Sequence, residues 1–76
     1  MREIIAGRKY RHFKNKMYEV IGIATHSETG EDYVVYKPLY GDPKMYIRPL
    51  DMFASKVDKE KYPDVTQEYR FELVEE

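Results

Sequence analysis

Between Tyr33 and Phe53 the chain reads YVVYKPLYGDPKMYIRPLDMF, two runs rich in tyrosine and β-branched residues on either side of Gly41-Asp42-Pro43-Lys44. Such runs separated by turn residues predict a β-hairpin. Pro49 opens the next five residues, and proline is tolerated at the start of a helix, so a single helical turn is expected from Pro49 to Phe53. Leu50 and Phe53, three apart, would share one face of that turn. This segment commits the chain to small, curved antiparallel sheets, and it concentrates tyrosine on them.

The rest of the chain supplies partners for that hairpin. Lys9 to Phe13, KYRHF, alternates charged and aromatic residues as a half-buried strand does. Asn15 and its lysine neighbours then form a polar turn. Met17 to His26 is the longest strand candidate, and both of its parities are apolar, which predicts a central position. Gly22 in its middle marks a bend or bulge. Ser27 to Asp32 is polar, with Gly30 placed for a positive φ. Residues 54–67 carry weak signals, with Val57, Tyr62 and Val65 as anchors. Tyr69 to Val74 alternates again, Tyr69, Phe71 and Leu73 inward and Arg70 and Glu72 outward.

The predicted fold class is therefore mostly β, a small five-stranded SH3-like barrel with a one-turn helix before the C-terminal segment. Its 76 residues make a single domain, 1–76, with 1–6 and 75–76 as loose ends. The first and last strands are expected side by side, since that removes exposed edges. Arg2, Arg8, Lys9, Arg11, Lys14 and Lys16 against Glu3 give residues 1–16 a net charge of +5, while the remainder carries −6. That asymmetry fits either a basic nucleic-acid face or a basic first strand beside an acidic last one.

Composition excludes several chemistries. There is no cysteine, hence no disulfide framework and no thiolate nucleophile, which suits a cytoplasmic location. No apolar run is long enough for a signal peptide core or a membrane span. The only histidines, His12 and His26, have no third ligand in a metal-binding pattern. Ser27 and Ser55 lack a base in a catalytic arrangement, and the four glycines are isolated, so no enzyme activity, metal or cofactor is expected.

What remains is recognition. On the third strand Tyr33, Val35 and Leu39 form the more conventional core set, which turns Tyr36 and Tyr40 toward water. Tyr46 and Arg48 share a parity on the next strand and would extend that patch. Rings with an arginine can stack unpaired bases or line a groove for an extended peptide; they can also simply cap a barrel. The expected binding set is Arg11, His12, His26, Tyr36, Tyr40, Tyr46 and Arg48, with single-stranded nucleic acid as the ligand. The alternatives are a protein or peptide partner, or a structural homodimer with no small ligand; no membrane association is expected. Pro38-Leu39-Tyr40-Gly41-Asp42 echoes the ALYDY motif of signalling SH3 domains. It lies on the third strand here and has no tryptophan downstream, so it does not argue for proline-peptide binding.

Several motifs together carry a family resemblance over roughly residues 7–57. They are Lys9-Tyr10-Arg11-His12-Phe13-Lys14, Tyr18-Glu19-Val20, His26-Ser27-Glu28-Thr29, Val34-Val35-Tyr36 with Leu39-Tyr40-Gly41-Asp42, and Arg48-Pro49-Leu50 with Met52-Phe53. In these the chain resembles the small bacterial domains grouped as domain-of-unknown-function family 1653. Asn15 stands where that family usually has a glycine, and Tyr46-Ile47 where a tryptophan is common. The resemblance implies a small, mostly β, barrel-like domain and supplies no activity. It also marks His26 to Thr29 as part of a pattern that core packing does not require, the simplest role being hydrogen bonds from Ser27 and Thr29 to the loop backbone.

Overall fold

The computed structural model describes residues 3–41 and 44–74. Its elements are β1 (Lys9–His12), β2 (Lys16–Thr25), β3 (Asp32–Pro38), β4 (Tyr46–Pro49), the one-turn helix α1 (Leu50–Phe53) and β5 (Phe71–Leu73). They form one antiparallel sheet in the order β4-β3-β2-β1-β5, which places β2 at the centre and the first and last strands side by side. The expected turn at Gly41 to Lys44 includes Asp42 and Pro43, which lie outside the described residues.

The sheet does not close into a barrel. Among the described residues β4 and β5 are its two edges and are not paired with each other. It is nonetheless strongly curled, because the Arg48 guanidinium carbon on β4 comes within 5.5 Å of the ring centroid of Phe71 on β5. The curl has a local cause in β2. Val20 pairs with Tyr36 while Gly22 pairs with Val35, so Ile21 is an extra residue bulged out of the ladder, and a bulge bends and twists its strand. The bend expected at Gly22 is present, but it curves one sheet instead of joining two, and it leaves Ile21 and Ile23 exposed.

Register assigns the concave face. Tyr10 lies opposite both Tyr18 and Leu73, His12 opposite Phe71, and Tyr36 opposite Val20 and Tyr46; directly opposed residues share a face. The rings of Phe53 and Phe71 stack at 4.0 Å, with Tyr10 and Tyr36 meeting Phe53 edge-on. Phe53 arrives from α1, whose other apolar residue Leu50 packs against the same cluster. Burying each such ring contributes about 1.5–3 kcal/mol, which is how a domain of this size acquires a core.

Two expectations are corrected here. On β3 the inward set is Val34, Tyr36 and Pro38: Tyr36 is 5% exposed and Leu39 44%. Tyr33, Val35 and Leu39 are therefore not the core set: the opposite parity turns inward, where the Tyr36 ring packs against Phe53 and Phe71. The amino-terminal end is also tied down. Ile4 is buried in the core and the Ile5 N–H donates to the Tyr10 hydroxyl at 2.9 Å, so residues 4 and 5 are not loose; residues 1–2 and 75–76 lie outside the described residues.

Residues 54–70 fold back on themselves without regular structure. The Val57 N–H donates to the Glu68 carbonyl and the Arg70 N–H to the Ser55 carbonyl, and Val57 is buried as an anchor. Tyr62, at the far end of this excursion, lays its ring 4.9 Å from that of Phe13. Among the described residues no helix is long and apolar enough to cross a membrane.

Candidate functional site

The β1–β2 turn positions the first group of side chains. Asn15 takes a φ of 65° and its N–H donates to the His12 carbonyl, closing a tight turn that carries Phe13, Lys14 and Lys16. His12, the last residue of β1, faces the concave side: its ring lies 4.9 Å from Phe71 and stacks at 4.4 Å on Phe13. Its Nδ1 accepts the Lys14 N–H at 3.1 Å. In the neutral imidazole the remaining proton is then on Nε2, available as a donor.

Two arginines approach from other elements. Arg48 on β4 donates from Nε to the Tyr36 hydroxyl at 3.3 Å and lies over Phe71. Arg70 precedes β5, and its carbonyl accepts the Phe13 N–H, fastening the β1–β2 turn to the last strand. Its Nε is buried with no hydrogen-bond acceptor. The alternation of residues 69–74 predicts Arg70 as outward-facing; the bend before Phe71 breaks that alternation and leaves Arg70 half-buried instead.

Between these groups and the 58–62 stretch lies a cavity of about 320 Å³. Lys61 and Tyr62 complete its wall, and Asp58 contributes the single carboxylate. That carboxylate is already engaged, since one oxygen accepts the N–H groups of Glu60 and Lys61. Lys14, Arg48, Lys61 and Arg70 against Asp58 leave the lining with a net charge of +3. The ion pairs Lys37–Glu19 and Lys56–Glu68 lie elsewhere, and among the described residues no carboxylate is paired with any of the four cations. The field is registered by His12, whose pKa falls to about 4, first through burial and then through Arg48, Lys14, Arg70 and Lys16.

Beside the cavity the concave face continues as a row of rings. Tyr18 meets His12, Tyr36, Tyr40 and Phe71 edge-on, and its hydroxyl shares a 2.9 Å hydrogen bond with that of Tyr40. Burial, followed by that bond, pushes the Tyr18 phenol above its ordinary value. Tyr40 is 44% exposed and Tyr46 47%, so both present ring surface to solvent. Lys16 places its ammonium 4.7 Å from the Tyr40 centroid.

Of the expected binding residues, His12, Tyr36, Tyr40, Tyr46 and Arg48 come together on this face, Tyr36 as a buried support whose hydroxyl orients Arg48. Arg11 points to the other side of the sheet, in register with Met17 and Glu72. There it borders a separate cavity of about 310 Å³ together with Asp64 and Gln67. His26 lies in the β2–β3 loop, where its Nδ1 accepts the N–H groups of Glu28 and Thr29. Sequence reasoning missed Lys14, Tyr18, Lys61 and Arg70 as members of the site. Lys14 lies within the basic N-terminal cluster and could be included on charge; Lys61 has no periodic signal to place it, and the alternation of residues 69–74 puts Arg70 on the outward face.

A family model described as a protein of unknown function, DUF1653, matches residues 8–73. The chain is also similar to the crystal structure of a DUF1653 protein from Bordetella bronchiseptica, with 32% identity and a TM-score of 0.75, over 92% of this chain and 87% of that one. No curated protein matches.

Proposed function

Since the chain belongs to the DUF1653 family, whose description supplies no activity, we propose from the site itself that this domain is a binding module for single-stranded nucleic acid and not an enzyme. One observation carries the reading: four cations without carboxylate partners line one cavity, and His12 and Arg48 of that lining connect through Tyr18 and Tyr36 to the accessible rings of Tyr40 and Tyr46. Phosphates would engage Arg48, Lys14 and Lys61, and bases would stack on the rings, a combination that tolerates any sequence because every base has a π face.

Titrating the labelled protein with short single-stranded oligonucleotides tests this. Amide shifts should concentrate at Tyr40, Tyr46 and Arg48, and affinity should fall steeply with salt as counterions are released. Tyr40→Ala should keep the fold and weaken binding several-fold. Shifts confined to the Arg11 side of the sheet, or no shifts at all, would reject it.

A second reading rests on β4. It is a sheet edge, and Ile47 on it is 65% exposed, so a second copy could pair with it strand to strand. A concentration-dependent dimer whose formation is blocked by Ile47→Lys would support that reading.

A further inference from the structure

We infer that the cavity beside His12 is a site for a terminal phosphate monoester, the phosphorylated end of a nucleotide or strand, and not for the diester backbone of a strand interior. The choice of carrier rests on the nucleic-acid reading; the anion itself is argued from the cavity alone.

Charge is the first argument. The lining carries a net +3, and a monoester brings roughly −1.5 to −2 at neutral pH with three strong acceptor oxygens, whereas a diester brings −1. Elsewhere on the molecule two lysines meet carboxylates, Lys37 at Glu19 and Lys56 at Glu68, whereas none of the four cations of this lining does. Three of the four cations here lie over rings, Lys14 and Lys61 at Tyr62 and Arg48 at Phe71, which holds them in place and leaves their charge without a carboxylate.

Donor geometry is the second. Arg48 uses its Nε on the Tyr36 hydroxyl, which fixes the side chain and leaves both terminal nitrogens for an oxyanion, the arrangement that favours bidentate recognition. Arg70 lines the same cavity; its Nε is sealed from solvent, so what it can offer an oxyanion is its terminal nitrogens. The Nε2–H of neutral His12 adds a further donor.

Enclosure is the third. Tyr62 closes over Phe13 at 4.9 Å, and Lys14 holds its ammonium 5.7 Å from the Tyr62 centroid, so the 58–62 stretch walls one side. About 320 Å³ is at the small end of ligand pockets. It accommodates a phosphate with its sugar, and the wall suits a chain end better than a chain passing through.

The test compares a 5′-phosphorylated oligonucleotide, the same sequence ending in a hydroxyl, and a nucleoside monophosphate, all against the full chain. The phosphorylated oligonucleotide should bind at least about tenfold more tightly than its hydroxyl counterpart, as charge-assisted bonds require. The monophosphate should shift the His12 imidazole resonances and raise the pH at which they titrate. Lys61→Ala, an exposed change that spares the core, and Arg70→Lys should each erase the phosphate preference, weakening the phosphorylated oligonucleotide several-fold more than its hydroxyl counterpart. Equal affinity for the two oligonucleotides overturns the monoester site and leaves the nucleic-acid reading standing. Binding of the monophosphate with no binding of either oligonucleotide does the reverse. If none of the three binds, both are overturned.

Discussion

The β2–β3 loop and the cavity beside His12 are built from the same parts and end in different accounts. Each contains a histidine whose Nδ1 accepts a backbone N–H two residues on, Glu28 for His26 and Lys14 for His12. Around His26 the polar groups go on to satisfy one another. The His26 N–H donates to the Glu31 carbonyl, the Gly30 N–H donates to the His26 carbonyl, the Glu31 N–H reaches the Thr29 hydroxyl, and the Thr25 hydroxyl donates to Asp32 at 2.7 Å. Around His12 the backbone is equally well satisfied, yet among the described residues the four cations have rings and a hydroxyl for neighbours and no carboxylate partner. A polar cluster that closes on itself is architecture. One that closes its backbone and leaves its cations without carboxylates is where the proposed anion would sit.

The largest effect should come from removing what the cavity stands on. Phe71 touches His12, Tyr18, Tyr36, Phe53 and Arg48, so Phe71→Ala should cost about 3–5 kcal/mol, a Phe-sized void in a packed core. Urea denaturation would show it as a lower midpoint. A loss below about 1 kcal/mol would mean that the concave cluster is not the core, and the contrast with the loop would lose its basis.

The next effect in size separates the histidines by pH. Folded His12 titrates near 4 against an ordinary 6.5, first because it is buried and then because cations surround it. Its folded state thus prefers the neutral form, and the unfolded chain binds the extra proton first. Its contribution is fully present above about pH 6.5 and is lost progressively as pH falls toward 4, with unfolding in that window taking up close to one additional proton. His12→Gln should flatten that limb of the stability profile. An unchanged acid limb in the variant would show that the cations do not act on His12 as the geometry requires.

The elements were legible in sequence for reasons that the structure shares. The turns at Asn15 and Gly30 take the positive φ that their residue types favour, and Pro49 precedes α1 as a helix start allows. Parity on β3 was misread because Tyr36 was weighed as a surface residue. In so small a domain a ring is the most effective filler of a concave face, and its hydroxyl can still reach Arg48 at the rim. Barrel closure could not be read either, since whether a curled sheet seals depends on how β4 and β5 meet across it. The candidate site was half legible: its β-strand members follow from alternation. Lys61 and Arg70 depend on how residues 54–70 double back, a path set by hydrogen bonds such as Val57 to Glu68 that no local pattern announces.

The smallest effect is the most direct comparison, because it removes one polar side chain from each region. Thr29→Ala deletes the acceptor of the Glu31 N–H at the 3.2 Å contact, and an exposed bond of this kind is worth about 0.5 kcal/mol. Stability should fall by that amount, and exchange of the Glu31 amide should accelerate. Lys61→Ala removes a cation that has no carboxylate partner, so in the absence of any anion the relieved repulsion offsets the loss of its 5.6 Å contact with the Tyr62 ring and stability should stay nearly unchanged. Adding phosphate should reverse the ranking, stabilising the wild type more than the Lys61 variant, because a ligand that binds only the folded state adds to its stability. If Lys61→Ala costs as much as Thr29→Ala without phosphate, the cations are holding the fold together, and the cavity is architecture after all.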